Sequence, residues 1–307
     1  MLEAKPDTSA SAPQGWTRLT APSGRGQLHV RRNFASRHLA ARDLYVWTPD
    51  GLDEATRFPV LYMQDGQNLF DARLVPFGVA WEADASLSRL IAAGRTAPTI
   101  IVGVACTEDR FAEYAPALIL DQLSTPARQA VTTAWPGAPK SAAYARMLID
   151  EIKPLIDATF PTLPGRENTF IAGSSMGAVV AAELLARHPD VFAGAALLSA
   201  HFSLLPVTEA EPLPKGFSED VARAVGLFAR HHIPRAGSHR LWLDRSTLSI
   251  DRFYPPSHAA FVSALLALGY GEGEDLSVRA YDGVGHDEGA WRERLDEALA
   301  FLLSPRV

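Results

Sequence analysis

Short apolar runs of strand length alternate with helical patterns along almost the whole chain, and no other feature constrains its fold as strongly. Residues 27–34 and 39–48 alternate apolar and polar side chains and read as an N-terminal hairpin or meander, and 57–63 ends in the buried run PVLYM. Helical periodicity over 81–93 precedes a second buried run at 99–105. Residues 142–159 then read as a helix carrying Pro154, 168–172 as a short strand, 178–187 as a helix and 192–199 as an apolar strand. RLWLD at 240–244, a helix at 257–268, LSVRAY at 276–281 and a last helix at 289–303 complete the series. Strands separated by helices cannot be joined by tight turns. The expected architecture is therefore α/β, about eight strands in a mostly parallel sheet with helices on both faces.

A chain of 307 residues permits one or two domains. The alternation favours one, spanning 16–307 behind a flexible N-terminal tail at 1–15, with loop insertions at about 106–141 and 201–237. In such a sheet the ligand sits outside the strand C-terminal ends, where both long connections begin, so both are candidate substrate walls. Composition narrows the classes further. With 29 Lys and Arg against 35 Asp and Glu the net charge is −6, which disfavours nucleic acid as a partner. The single Cys106 excludes an internal disulfide or a cysteine-based zinc site. No apolar run reaches membrane-helix length, so no membrane partner is expected, and the polar N-terminus reads as cytoplasmic, a secreted mature form being the alternative.

Between the strand NTFIA and the helix AVVAAELLAR stands Gly173-Ser174-Ser175-Met176-Gly177. The pattern G-x-S-x-G is common by chance, but a strand, a sharp turn and a helix in that order are what a nucleophile elbow requires. The turn pushes the Ser175 hydroxyl out at the strand end. The helix N-terminus then brings free N–H groups and a positive partial charge to a developing oxyanion, with the Met176 N–H as one donor.

A serine hydroxyl needs a base, and the base needs an acid to orient it, in the chain order Ser, Asp or Glu, His. Of nine histidines, only His286 follows the last expected strand and precedes the last helix, in a glycine-flanked loop; His201, after the run AALLSA, is the rival. The acid should follow RLWLD: Asp251 in the loop beyond it is preferred, with Asp244 at the strand end as the alternative. The second oxyanion donor is expected in the loop after PVLYM, at the N–H of Gln67. Asp65 and Asp71 in that loop lack the spacing of a calcium loop and read as turn caps, so no metal is expected. Candidate substrate contacts are Asp65, Asn68, His201 and Phe202. Trp135, Phe202, Phe217 and Phe228, with Leu204 and Leu205, could line an apolar acyl or aromatic pocket or could form small cores of the two connections. Arg110, Arg128 and Lys140 are the cations an anionic siderophore ester could use.

Four segments together, LYMQDGQNLFD at 61–71, EIKPLIDATFPTL at 151–163, NTFIAGSSMGA at 168–178 and GHDEGAWRERLDEAL at 285–299, resemble the Putative esterase family of α/β hydrolases. This is the group of enterochelin, feruloyl and acetyl-xylan esterases, S-formylglutathione hydrolase and the mycolyltransferases. The resemblance implies the α/β-hydrolase fold, with Ser175 as nucleophile and His286 as base. The stretch from Asp244 to Asp251 resembles a family segment D-x-G-T-x-x-x-D, with Ser246 in place of its glycine. The function expected is that of a serine carboxylic-ester hydrolase working through an acyl-enzyme, without a cofactor, on a small ester of carbohydrate, aromatic or siderophore type. Acyl transfer from the same acyl-enzyme and a non-catalytic binding module on this scaffold are the alternatives.

Overall fold

The computed structural model describes residues 12–51, 55–75, 78–135, 137–206 and 213–305. Most of the expected N-terminal tail, residues 1–11, lies outside them, as do residue 136 of the first long connection and 207–212 of the second. In chain order the elements are β1 (Thr17–Leu19), β2 (Gln27–Phe34), β3 (Arg42–Thr48), β4 (Val60–Gln64), α1 (Ala83–Ala92) and β5 (Ile100–Val104). Then come α2 (Arg110–Tyr114), α3 (Ala117–Leu120), α4 (Thr125–Ala134), α5 (Ser141–Arg146), α6 (Lys153–Thr159), β6 (Thr169–Ser174), α7 (Met176–Arg187) and β7 (Gly194–Leu198). The chain continues through α8 (Phe217–His232), β8 (Arg240–Ser246), α9 (Pro255–Ala267), β9 (Leu276–Tyr281) and α10 (Glu288–Leu303). Nine strands are present among the described residues where eight were expected; the addition is β1, three residues long and too short to show a period.

Two compact units partition the chain. The first comprises residues 1–108, 146–172 and 287–307. Its strands run in the order β1-β2-β3-β5-β4-β6, antiparallel from β1 to β5 and parallel from β5 through β4 to β6. β4 and β5 are buried along their whole length, which explains why both read as unbroken apolar runs. A Cβ on Gly66, in the loop after β4, would fall 2.4 Å from the carbonyl carbon of Gly103 in β5, so this approach needs glycine. Ahead of α6, residues Met147–Ile152 form a π-helical turn in which the Lys153 N–H reaches back five residues to the Leu148 carbonyl. The wide turn lies immediately before Pro154, whose missing N–H and bulky ring oppose a regular α-helical ladder.

The second unit comprises residues 109–145 and 173–286. Its strands β7, β8 and β9 are mutually parallel. Helices fill much of both long connections: α2, α3 and α4 in the first, and α8 in the second. The α8 pattern is regular, with Phe217, Val221, Ala224, Val225, Phe228 and Ala229 all buried on one face. Phe228 lies 6.4 Å from Phe261 of α9, ring centre to ring centre, so the apolar residues of the second connection build a helical core.

Candidate active site

The elbow begins where β6 ends. A Cβ on Gly173 would lie 2.5 Å from the backbone of Gly177, so strand and helix come together at a distance only glycine allows. Between them Ser175 takes φ 54° and ψ −126°, a conformation that costs a non-glycine residue on the order of 1–3 kcal/mol. The surrounding backbone holds it there. The Ser175 N–H donates to the Leu198 carbonyl at 3.0 Å, and the Ser175 carbonyl accepts the N–H of Ala178 at 3.1 Å and of His201 at 3.1 Å. Met176 is the first residue of α7, where the helix leaves its N–H without an intrahelical acceptor.

His286 lies in the loop between β9 and α10, and its Nε2 is 2.9 Å from the Ser175 Oγ. Its Nδ1 is hydrogen-bonded to Asp251 Oδ1. Carboxylates accept, so the proton belongs on Nδ1, which leaves the Nε2 lone pair facing the serine hydroxyl. Asp251 belongs to a short 3-10 turn, Ser249–Phe253, after β8 and is fully buried. Its second oxygen accepts the Ser199 hydroxyl at 2.6 Å and the Ser246 N–H at 2.6 Å. Burial pushes the Asp251 carboxyl up, but its bonds with His286, Ser199 and Ser246 outweigh that and hold it below its ordinary range.

Asp244, the alternative acid, stays within β8. Its two oxygens accept the Ser199 N–H at 3.0 Å and the Trp242 indole N–H at 2.8 Å. Of the two carboxylates it is Asp251 that meets the imidazole. Ser199 links them, giving its N–H to one and its hydroxyl to the other, with a left-handed φ of 43°. Nothing in the sequence singles out Ser199, because its importance arises from two contacts across chain distances of 45 and 52 residues.

His201 and Phe202, expected as substrate contacts, are both buried and held by protein partners. His201 is buried, donating from Nε2 to the Leu205 carbonyl at 3.0 Å and accepting the Tyr254 hydroxyl at Nδ1, 2.7 Å away. Burial, reinforced by the charge of His286, lowers its pKa to about 3, so it is a neutral scaffold residue. Its partner Tyr254 carries no sequence signal either; it is buried and stands edge-on to the His286 ring at 6.0 Å. Phe202 is fully buried and packs on Phe261 at 5.0 Å.

The remaining expected residues belong to the first unit. Gln67 sits in a 3-10 turn after β4, and its side chain bridges Cys106, donating to the Sγ at 3.1 Å and accepting the Cys106 N–H at 3.1 Å. Asp65 is buried at the start of that turn with φ 56°, and its carbonyl accepts the Asn68 N–H. Asn68 directs its amide to Glu288 at 3.4 Å. Asp71 caps the next turn by accepting the Arg73 N–H at 2.9 Å.

In the second unit an apolar pocket has Met176, the residue after Ser175, in its wall. Leu204, Trp135, Val131, Leu120 and Pro116 are among the residues that line it. Its enclosed volume is small, about 20 Å³. Trp135 and Leu204 thus join a pocket, whereas Phe217 and Phe228 belong to the core beneath α8.

Comparison with known proteins follows the same lines. The Esterase family model, described as "Putative esterase", matches residues 40–302. Among solved structures, a ferulic acid esterase superposes with a TM-score of 0.62 at 19% identity, covering 91% of this chain and 98% of that one. An IroE-like serine hydrolase from Shewanella oneidensis gives 0.61 at 18% identity, over 90% of this chain and 80% of that one. The enterobactin esterase FES from Shigella flexneri gives 0.59 at 18% identity over 97% of this chain, which spans only 60% of that longer protein. No curated protein sequence matches the chain. These likenesses show the fold, which is the α/β-hydrolase architecture expected from the sequence.

Proposed function

The chain belongs to the Putative esterase family, and from that premise we propose that it hydrolyses carboxylic esters through a covalent acyl-enzyme on Ser175. What carries the reading is the relay of hydrogen bonds from Asp251 through His286 to a serine in the elbow conformation. In acylation the Ser175 Oγ bonds to the ester carbonyl carbon while its proton passes to His286 Nε2. Asp251, ionised and buried, stabilises the imidazolium that results. The oxyanion meets the Met176 N–H and the positive end of α7. Collapse breaks the bond to the alcohol oxygen, which takes the proton from His286 and leaves. Water then attacks the acyl carbon, gives a proton to His286 and displaces the Ser175 oxygen, which recovers that proton as the acid departs. The whole cycle is supplied by this chain's own groups, so chelators are expected to leave the rate unchanged.

A fluorophosphonate probe tests the reading directly. It labels the folded protein covalently, and the label disappears in Ser175→Ala. Failure to label an intact, folded protein would overturn the esterase mechanism and favour a binding module.

A further inference from the structure

The apolar pocket is joined to Ser175 by an unbroken chain of hydrogen bonds. The Trp135 indole N–H donates to the Leu204 carbonyl at 2.8 Å. The Leu204 N–H donates to the His201 carbonyl at 3.2 Å, and the His201 N–H to the Ser175 carbonyl at 3.1 Å. Leu204 takes a left-handed φ of 56°, which a leucine adopts only where its surroundings impose it, and the strained residue is the one whose carbonyl fixes the indole. From its other side Trp135 is stacked by Phe111, ring centres 4.1 Å apart. The wall is therefore held in two directions, and its position is tied to the residue that would carry an acyl group.

The chemistry of this wall is uniform. Among the described residues every lining residue except Thr132 is apolar or glycine, and the cations next to them in the chain are occupied. Lys140 pairs with Asp109 at 2.8 Å, Arg128 with Asp121 at 3.0 Å, and the Arg110 guanidinium lies over the Tyr114 ring. A carboxylate or catecholate would meet no counter-charge among the described lining residues, and desolvating it there is unfavourable. The enclosed space is also small, about 20 Å³, which leaves room for a small acyl group and not for a bulky ring.

We propose that this pocket is the acyl site, that it selects a small, uncharged aliphatic acyl chain, and that Trp135 is the residue limiting its size. The proposal rests on the esterase reading, since the pocket has this meaning only if Ser175 becomes acylated. Of the three ester types expected from the sequence, it favours the carbohydrate type, in which a small aliphatic acyl group sits on a sugar, over aromatic acyl and siderophore esters.

The test is a series of p-nitrophenyl acetate, propionate, butyrate and benzoate, run beside fluorophosphonate labelling. From acetate to butyrate kcat/KM should rise about fourfold per methylene as each enters the pocket. Benzoate should lag behind butyrate by about tenfold or more. Trp135→Ala should cut that butyrate preference by about tenfold, while Trp135→Phe, which keeps a ring in the wall but loses the N–H to the Leu204 carbonyl, should fall between that variant and the wild type. The wild-type series decides even where Trp135→Ala does not fold. Labelling together with a flat series, or with a preference for benzoate, overturns the pocket assignment and leaves the esterase reading standing. No labelling at all overturns both.

Discussion

Asp251 and Asp244 are equally buried and seven residues apart, yet they face different partners, and substitution should separate them. Asp251→Asn keeps the packing but cannot hold the Nδ1-protonated tautomer of His286, so kcat on a p-nitrophenyl ester should fall by about ten-thousandfold with little change in fold. Asp244→Asn should act instead on stability, lowering it by about 1–3 kcal/mol in urea unfolding, because the Ser199 N–H and the Trp242 indole lose a charged acceptor. Ser199→Ala tests the link between them. The folded Asp251 carboxyl is held below its ordinary value, so its stabilisation is complete above the ordinary carboxylate range and is lost as pH falls through the folded value. Removing the Ser199 hydroxyl should cost about 1.5 kcal/mol at neutral pH, and the gap should close in acid. A deficit unchanged from neutral to acid pH would contradict this role. The sequence offers both carboxylates because spacing along β8 and its loop does not say which one turns inward. That choice is made by Ser199 and Ser246, and only folding assembles them.

The strand-turn-helix around Ser175 is an element built against local preference. Ser175→Gly should abolish turnover yet keep the unfolding midpoint at or above that of the wild type, since glycine takes the elbow conformation without strain. Gly173→Ala should do the reverse to the fold, destabilising it by about 1–3 kcal/mol, because its methyl has no room against Gly177. A Gly173→Ala protein as stable as the wild type would mean the close approach is not a constraint. This elbow is legible in the sequence because the constraint is written in the residues themselves: glycines where backbones touch, and a buried strand ahead of an apolar helix. β4, β5 and β7 are legible for a related reason, being apolar at nearly every position. α8 escapes a reading organised around buried strands, although Phe217, Val221, Val225 and Phe228 carry a helical period in plain view. The short helices α2 and α3, at five and four residues, are too brief for any period to register; α2 packs on α7 and α3 on α8.

At the scale of the whole molecule, a net charge of −6 sets a background against which substrates of different charge behave differently. If the acyl site takes uncharged chains, kcat/KM for a neutral ester should be flat from about 10 mM to about 0.5 M salt, a range over which the Debye length falls severalfold. An anionic ester should bind poorly in low salt and improve as screening grows. A neutral substrate with a steep salt dependence would show that charge, not apolar fit, governs encounter. The family match over residues 40–302 covers β3 through β9, the elbow and the histidine loop, and leaves out β1 and β2. The wide turn at Met147–Ile152 lies inside that match and limits which changes the helix tolerates. It holds one residue more than a regular ladder needs, directly ahead of Pro154. Deleting that residue alone would set the proline ring against the carbonyl four positions back, and replacing the proline alone would leave a surplus residue with nothing to accommodate. The two changes should therefore be tolerated only together.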